Sequence, residues 1–177
     1  MSTKFFYAVV LALATIVLQL LLYFSGFQTE KLATGQYLQW LGLVITAVVL
    51  WLGIKAVRDE RTDRVMRYGQ RVGTGVLISL YAALMGAVYS FIHFTFINTG
   101  FADYAIALTR EKWAAKGLTQ AQMEGAEAIT RKMMQPGVQA IMGVIFGVLI
   151  GVVLSLIIAA LVKEKAQPST GTAPSMP

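Results

Sequence analysis

Four long apolar blocks, about Phe5–Phe24, Leu38–Val57, Val72–Asn98 and Gly137–Val162, alternate with polar stretches along this chain. Within them the apolar residues are nearly continuous rather than spread at the periods of soluble helices or strands. At about 1.5 Å per residue, each block is long enough to cross a hydrocarbon core roughly 30 Å thick. The pattern therefore predicts an all-α membrane protein with four transmembrane helices. The first block contains Ala12-Leu13-Ala14, which looks like a signal-cleavage triplet, but its apolar run continues through Ile16, Leu20 and Tyr23. That is too long for a signal core, so the block is read as a retained span.

Small and polar residues inside the blocks assign their faces. In the fourth block Gly143, Gly147, Gly151, Ser155 and Ala159 recur every fourth residue and form one ridge. In water these glycines would weaken a helix. In lipid they let a neighbouring backbone approach closely and gain van der Waals contact. In the third block Gly75, Ser79, Ala82, Gly86, Tyr89 and His93 follow spacings near four and three and share a face. Strict fours favour a right-handed crossing and mixed fours and threes a left-handed one, so the two surfaces leave the hand of their crossing open. In the first block Ala8, Ala12, Thr15 and Gln19 point toward other helices. Gln19 and His93 are the polar intramembrane candidates; they fall in the same half of the bilayer, and a contact between them would satisfy both.

The polar stretches differ in kind. Ser25–Gln36 is a short connection leading through Tyr37 and Trp40, aromatics suited to a membrane interface. The second connection holds six basic and three acidic residues between Lys55 and Arg71. The third, residues 101–135, is amphipathic. Gly117 is placed to end one helix in the left-handed conformation, and Thr119 with Gln122 forms a capping box that starts another, which predicts a helix-turn-helix insertion. Glu127 and Arg131 make an i,i+4 pair on it. Its apolar Phe101, Tyr104, Ile129 and Met133 need a cover: headgroups, the end of the bundle, or a partner. Residues 166–177, rich in Pro, Ser, Thr and Gly, read as a disordered cytoplasmic tail.

Composition agrees with this picture, at 56% hydrophobic and 14% charged residues. The formal charge of +6 is not gathered in a basic domain, so it speaks for membrane sidedness and against nucleic acid. Nine of the 15 Lys and Arg lie in the amino end, the second connection and the carboxyl tail. Because basic residues stay on the cytoplasmic side, both termini are expected there and the insertion outside. There is no cysteine, hence no disulfide framework and no thiolate metal site.

Several short runs together resemble the bacterial membrane-protein family catalogued as domain of unknown function 4199. They are Gly53-Ile54-Lys55 with Arg58-Asp59, Gly73 to Ser79, the Gly117-Leu118-Thr119 turn, and Ser155 to Leu161 ahead of Lys163. Their order and spacing cover nearly the whole chain. Where relatives often carry a proline after the third span, Asn98-Thr99-Gly100 stands here. The resemblance implies four helices in a bacterial inner membrane and carries no activity or site residues with it.

His93 is the only histidine, so one chain offers no multi-histidine metal site or histidine relay. No Asp or Glu lies mid-span, which speaks against a proton- or sodium-coupled transporter. No nucleophile set, phosphate loop or zinc motif is found, and neither enzyme activity nor a cofactor is expected. The expected function is a structural or interaction subunit of the bilayer, working as a homo-oligomer or with another membrane protein. A small oligomeric channel or transporter is the alternative, and an enzyme subunit borrowing a partner's catalytic residues the third reading. The sidedness is testable by single-cysteine labelling: Gln120→Cys should react with an impermeant thiol reagent in intact cells and Thr62→Cys should not. The opposite pattern would invert the topology.

Overall fold

The computed structural model describes residues 1–62 and 64–162; the tail expected to be disordered, 166–177, lies outside them. The elements are α1 (Thr3–Phe24), α2 (Leu32–Leu38), α3 (Trp40–Asp59), α4 (Tyr68–Ile92), a π-helical turn (His93–Ile97), α5 (Phe101–Ala115), α6 (Gln120–Met133) and α7 (Pro136–Leu161). No strand occurs among the described residues. Four helical runs are long and apolar enough to cross a membrane: Thr3–Phe24, Leu32–Asp59, Tyr68–Ile97 and Pro136–Leu161. The all-helical, four-span fold class is thus the observed one.

The second of these runs begins at Leu32, earlier than the apolar pattern indicated. Gly26, at φ +79°, closes α1: its N–H donates to Tyr23 O at 3.0 Å, and the Phe27 N–H donates to Leu22 O at 2.8 Å. This left-handed cap reverses the chain within a few residues. Leu32 and Gly35 are buried, so tertiary packing makes a helix of a stretch too polar to register as part of a span. The run breaks at Gln39, between α2 and α3.

In the bundle α4 touches all the other spans, lying along α7 and against α1 and α3, while α1 also packs on α3. The buried core combines Ala8, Leu11 and Ala12 of α1, Leu50 and Ile54 of α3, Ile78 and Ala82 of α4, and Ile158 of α7. Polar contacts lock the basic end. Tyr68 Oη donates to Leu156 O at 3.1 Å, Arg71 donates to Val162 O, and buried Arg58 pairs with Asp59 at 2.7 Å.

The α4–α7 contact follows strict steps of four on both helices, running in opposite directions. A Cβ on Gly75 would lie 2.8 Å from Ser155 Cβ, one on Gly151 would overlap the Ser79 side chain, and one on Gly147 would lie 3.2 Å from Ala83 Cβ. Each serine fills the notch of a glycine on the other helix. The row on α4 that meets α7 is therefore Gly75, Ser79, Ala83; Ala82, one step round the helix, enters the core cluster shared by α1, α3, α4 and α7, and nothing outside its own helical turn lies within 4 Å of a Cβ placed on Gly86. The same is true of Gly143, so the two helices part at the end near α5 and α6. Ala159, at the other end of the ridge, is fully buried.

The insertion is a helical hairpin. Gly117, at φ +76°, ends α5, with Leu118 N–H donating to Trp113 O at 3.2 Å. Thr119 and Gln122 cap α6 reciprocally, at 2.9 and 3.4 Å. α5 packs on α2 and buries Ala105 and Ile106, and the Phe101 ring lies 4.8 Å from that of Phe94. α6 packs mainly on α5.

Gly151→Ala should destabilise the bundle by about 1–3 kcal/mol, because the added methyl must push α4 and α7 apart. Gly143→Ala, at a position with open space, should be neutral or slightly stabilising, by up to about 1 kcal/mol through helix propensity. Unfolding in detergent measures both. Equal stabilities would mean that the ridge does not set the helix separation.

Candidate functional site

Where α4 and α7 part, a cavity of about 510 Å³ opens between α1, α4, α7 and the α2–α3 break. Its polar lining is Thr15, Gln19, Gln28, Gln39, Ser90 and Gln139; Leu18, Leu22, Phe94, Phe101, Met142 and Phe146 supply the apolar part. A smaller space of about 230 Å³ shares Thr15, Ser90 and Gly143 with it and extends to Thr46 and Ser79. Along the α4–α7 seam the contact of Ser79 with Gly151 ends it, while a third space of about 460 Å³ adjoins both at Thr15 and runs between α3 and α7 past Thr46 and Gly147 to Ile150. No Asp, Glu, Lys or Arg lines either of the first two spaces. Together they form an uncharged vestibule walled by amides, hydroxyls and aromatic rings.

Each glutamine reaches it by a different local device. Gln19 sits on the inward face of α1, Gln139 in the first turn of α7 behind Pro136, Gln28 in the reversal after Gly26, and Gln39 at the break between α2 and α3. Sequence reasoning singled out Gln19 alone. Gln139 carried the same signal, a polar side chain within an apolar block. Gln28 and Gln39 lay at or beyond the expected edges of spans and gave none.

His93 is completely buried beside this vestibule, and its partner is Gln28 rather than Gln19. Its Nε2 is 3.0 Å from Gln28 Oε1, and its Nδ1 is 3.0 Å from Tyr89 Oη. If Nε2–H donates to the amide oxygen, Nδ1 accepts from the tyrosine hydroxyl and both ring nitrogens are satisfied in the neutral tautomer. The contact to Gln19 is ruled out by the turn after Gly26, which swings Gln28 over the histidine, while Gln19 lines the adjacent space. Tyr23 of α1 packs edge-on against the imidazole at 5.5 Å and donates to Ile97 O at 3.0 Å. Asn98 donates through its backbone N–H to His93 O at 2.7 Å, completing the π turn. The cluster thereby ties the end of α1, the reversal and the end of α4 together.

A family model described as protein of unknown function (DUF4199) matches residues 7–164. The chain belongs to this family. The DUF4199 match takes in the vestibule, the His93 cluster and the hairpin, and the family description attaches no activity to them. No curated protein and no solved structure matches the chain.

The hairpin offers a second surface. α6 has no buried residue, and Ile129 and Met133 are 66% and 50% exposed. Arg131 bridges the two hairpin helices, 2.9 Å from Asp103 and 3.4 Å from Glu127, and Arg110 lies 3.7 Å from Glu127. The hydrogen bond to Asp103, then that to Glu127, raises the Arg131 pKa further above its already high value. The hairpin helices are thus held to each other as one unit.

Among the described residues no group of three or more His, Cys, Asp or Glu could hold a metal. The histidine cluster makes a specific energetic prediction. His93→Phe leaves Gln28 and Tyr89 without their partner and should cost about 1–3 kcal/mol. In double-mutant cycles His93 should couple to Gln28→Leu and not to Gln19→Leu. Unfolding in detergent supplies the energies, and coupling to Gln19 instead would reverse the assignment.

Proposed function

We propose that this DUF4199 member is an interaction subunit of a bacterial inner membrane, with both termini cytoplasmic and the α5–α6 hairpin outside. The observation carrying this reading is the uncovered apolar side of α6 on a hairpin that is itself seated on the bundle through α5. Ordering apolar side chains in water has no return unless something covers them. The hairpin carries five basic and four acidic residues, so anionic headgroups have little net charge to hold. A segment of another membrane protein, apolar at its centre with a polar rim, fits Ile129 and Met133 better.

A small oligomeric channel or transporter is the second reading, supported by the vestibule. Along α4 and α7 it ends where Ser79 meets Gly151, so conduction would need a further opening, within the chain or between copies. An enzyme subunit, the third reading, would require catalytic groups from a partner.

Purification of the full chain in mild detergent, compared with an Ile129→Glu/Met133→Glu variant, tests the proposal. A stoichiometric partner should accompany the native chain and be lost from the variant, while unfolding temperature stays unchanged, because these side chains touch little. Retention of every associated protein by the variant would remove the interaction reading. A homo-oligomer that passes solute in liposomes would favour the second.

A further inference from the structure

The vestibule holds more polar groups than packing requires. Thr15 lies nine residues before the end of α1, about 13 Å down the helix at 1.5 Å per residue. Hydroxyls and primary amides therefore continue well into the membrane-spanning part. At the inner end Ser79 is buried with its Oγ packed onto Gly151 of α7, so that hydroxyl belongs to the helix contact and is not offered to an occupant. Polar side chains that line a space inside a span are costly unless something answers them, and an occupant able to hydrogen-bond does so.

The lining defines the chemistry of that occupant. With no charged side chain on either space, an ionic ligand would be desolvated without compensation. A hydrocarbon would leave Gln19 and Ser90 unanswered, whereas Thr15 already donates to Leu11 O and Ala12 O and Gln139 has Met134 Sδ at 3.4 Å. Amides and hydroxyls both donate and accept, which complements groups that do the same. Phe94, Phe101 and Phe146 supply flat apolar faces for the carbon side of a ring. A volume of about 510 Å³ is within the ordinary range for small-molecule sites. We infer that the vestibule binds an uncharged, hydroxyl-bearing ring, as a free polyol or as the headgroup of a neutral glycolipid. Gln19 and Gln139 face it from opposite helices.

The test uses the full chain in a zwitterionic detergent without hydroxyls. Glucose represents the free ligand, octyl glucoside the headgroup with a tail, and tetraethylene glycol octyl ether the tail without a ring. Unfolding temperature is followed against the concentration of each. A saturable rise with glucose supports a free ligand, and one with octyl glucoside alone supports a lipid headgroup. Gln19→Leu and Gln139→Leu should each weaken the effective probe by roughly 2- to 10-fold, the worth of one hydrogen bond. A second readout does not depend on those variants folding well: Ser90→Cys, in a chain with no other cysteine, should be shielded from a thiol reagent by the same probe. No rise with either sugar, a rise matched by the ether, or an unshielded thiol in the Ser90→Cys chain would overturn the inference.

Discussion

The close approach of α4 and α7 is the constraint on which the rest of the structure depends. In lipid no hydrophobic force drives helices together, because the tails are as apolar as the side chains; contact distance decides instead. Gly75 against Ser155 and Gly151 against Ser79 bring the two backbones as near as side chains allow. The two serines sit there with their Oγ atoms buried and without hydrogen-bond partners, a polar cost accepted at the tightest point. With α7 held this way, α4 is free to present its other sides to α1 and α3, where Ile78 and Ala82 enter the core.

The same contact explains the space at the other end. The α7 row continues to Gly143 and α4 carries Gly86 nearby, yet no neighbouring side chain fills the space beside either glycine. Polar residues from α1, α4, α7 and the first connection converge on it instead. Their backbones are fixed by independent devices: the Gly26 cap, the Gln39 break, Pro136 at the start of α7, and the His93 cluster across the π turn. A cavity shaped by so many separate constraints is preorganised, which lowers the ordering cost of binding. The hairpin covers this end of the bundle through α5, with Phe101 reaching into the lining.

Much of this was legible in the sequence because bilayers impose long, continuous signals. Block length identified the spans, and the Gly143-to-Ala159 spacing singled out a packing ridge. The Gly117 turn and the Thr119 capping box follow local rules that lipid does not alter, and the structure has both. What escaped depended on non-local geometry. Which row of α4 meets α7 turned on Ala83, indistinguishable by composition from Ala82. The partner of His93 lay across a reversal, at Gln28, so shared depth with Gln19 was a misleading guide. Helix α2 was missed because burial by neighbours, not its own pattern, makes it helical.

Disulfide trapping in native membranes tests the central claim most directly, since the chain has no cysteine of its own. The ideal Cβ at Gly147 is 3.2 Å from Ala83 Cβ, and disulfides need Cβ atoms about 3.5–4.5 Å apart, so a small shift suffices. An Ala83→Cys/Gly147→Cys chain should form an intramolecular bond rapidly under mild oxidation, whereas Gly86→Cys/Gly143→Cys, where the helices have parted, should not. Trapping of the second pair in preference to the first, or bonds formed only between chains, would contradict the account.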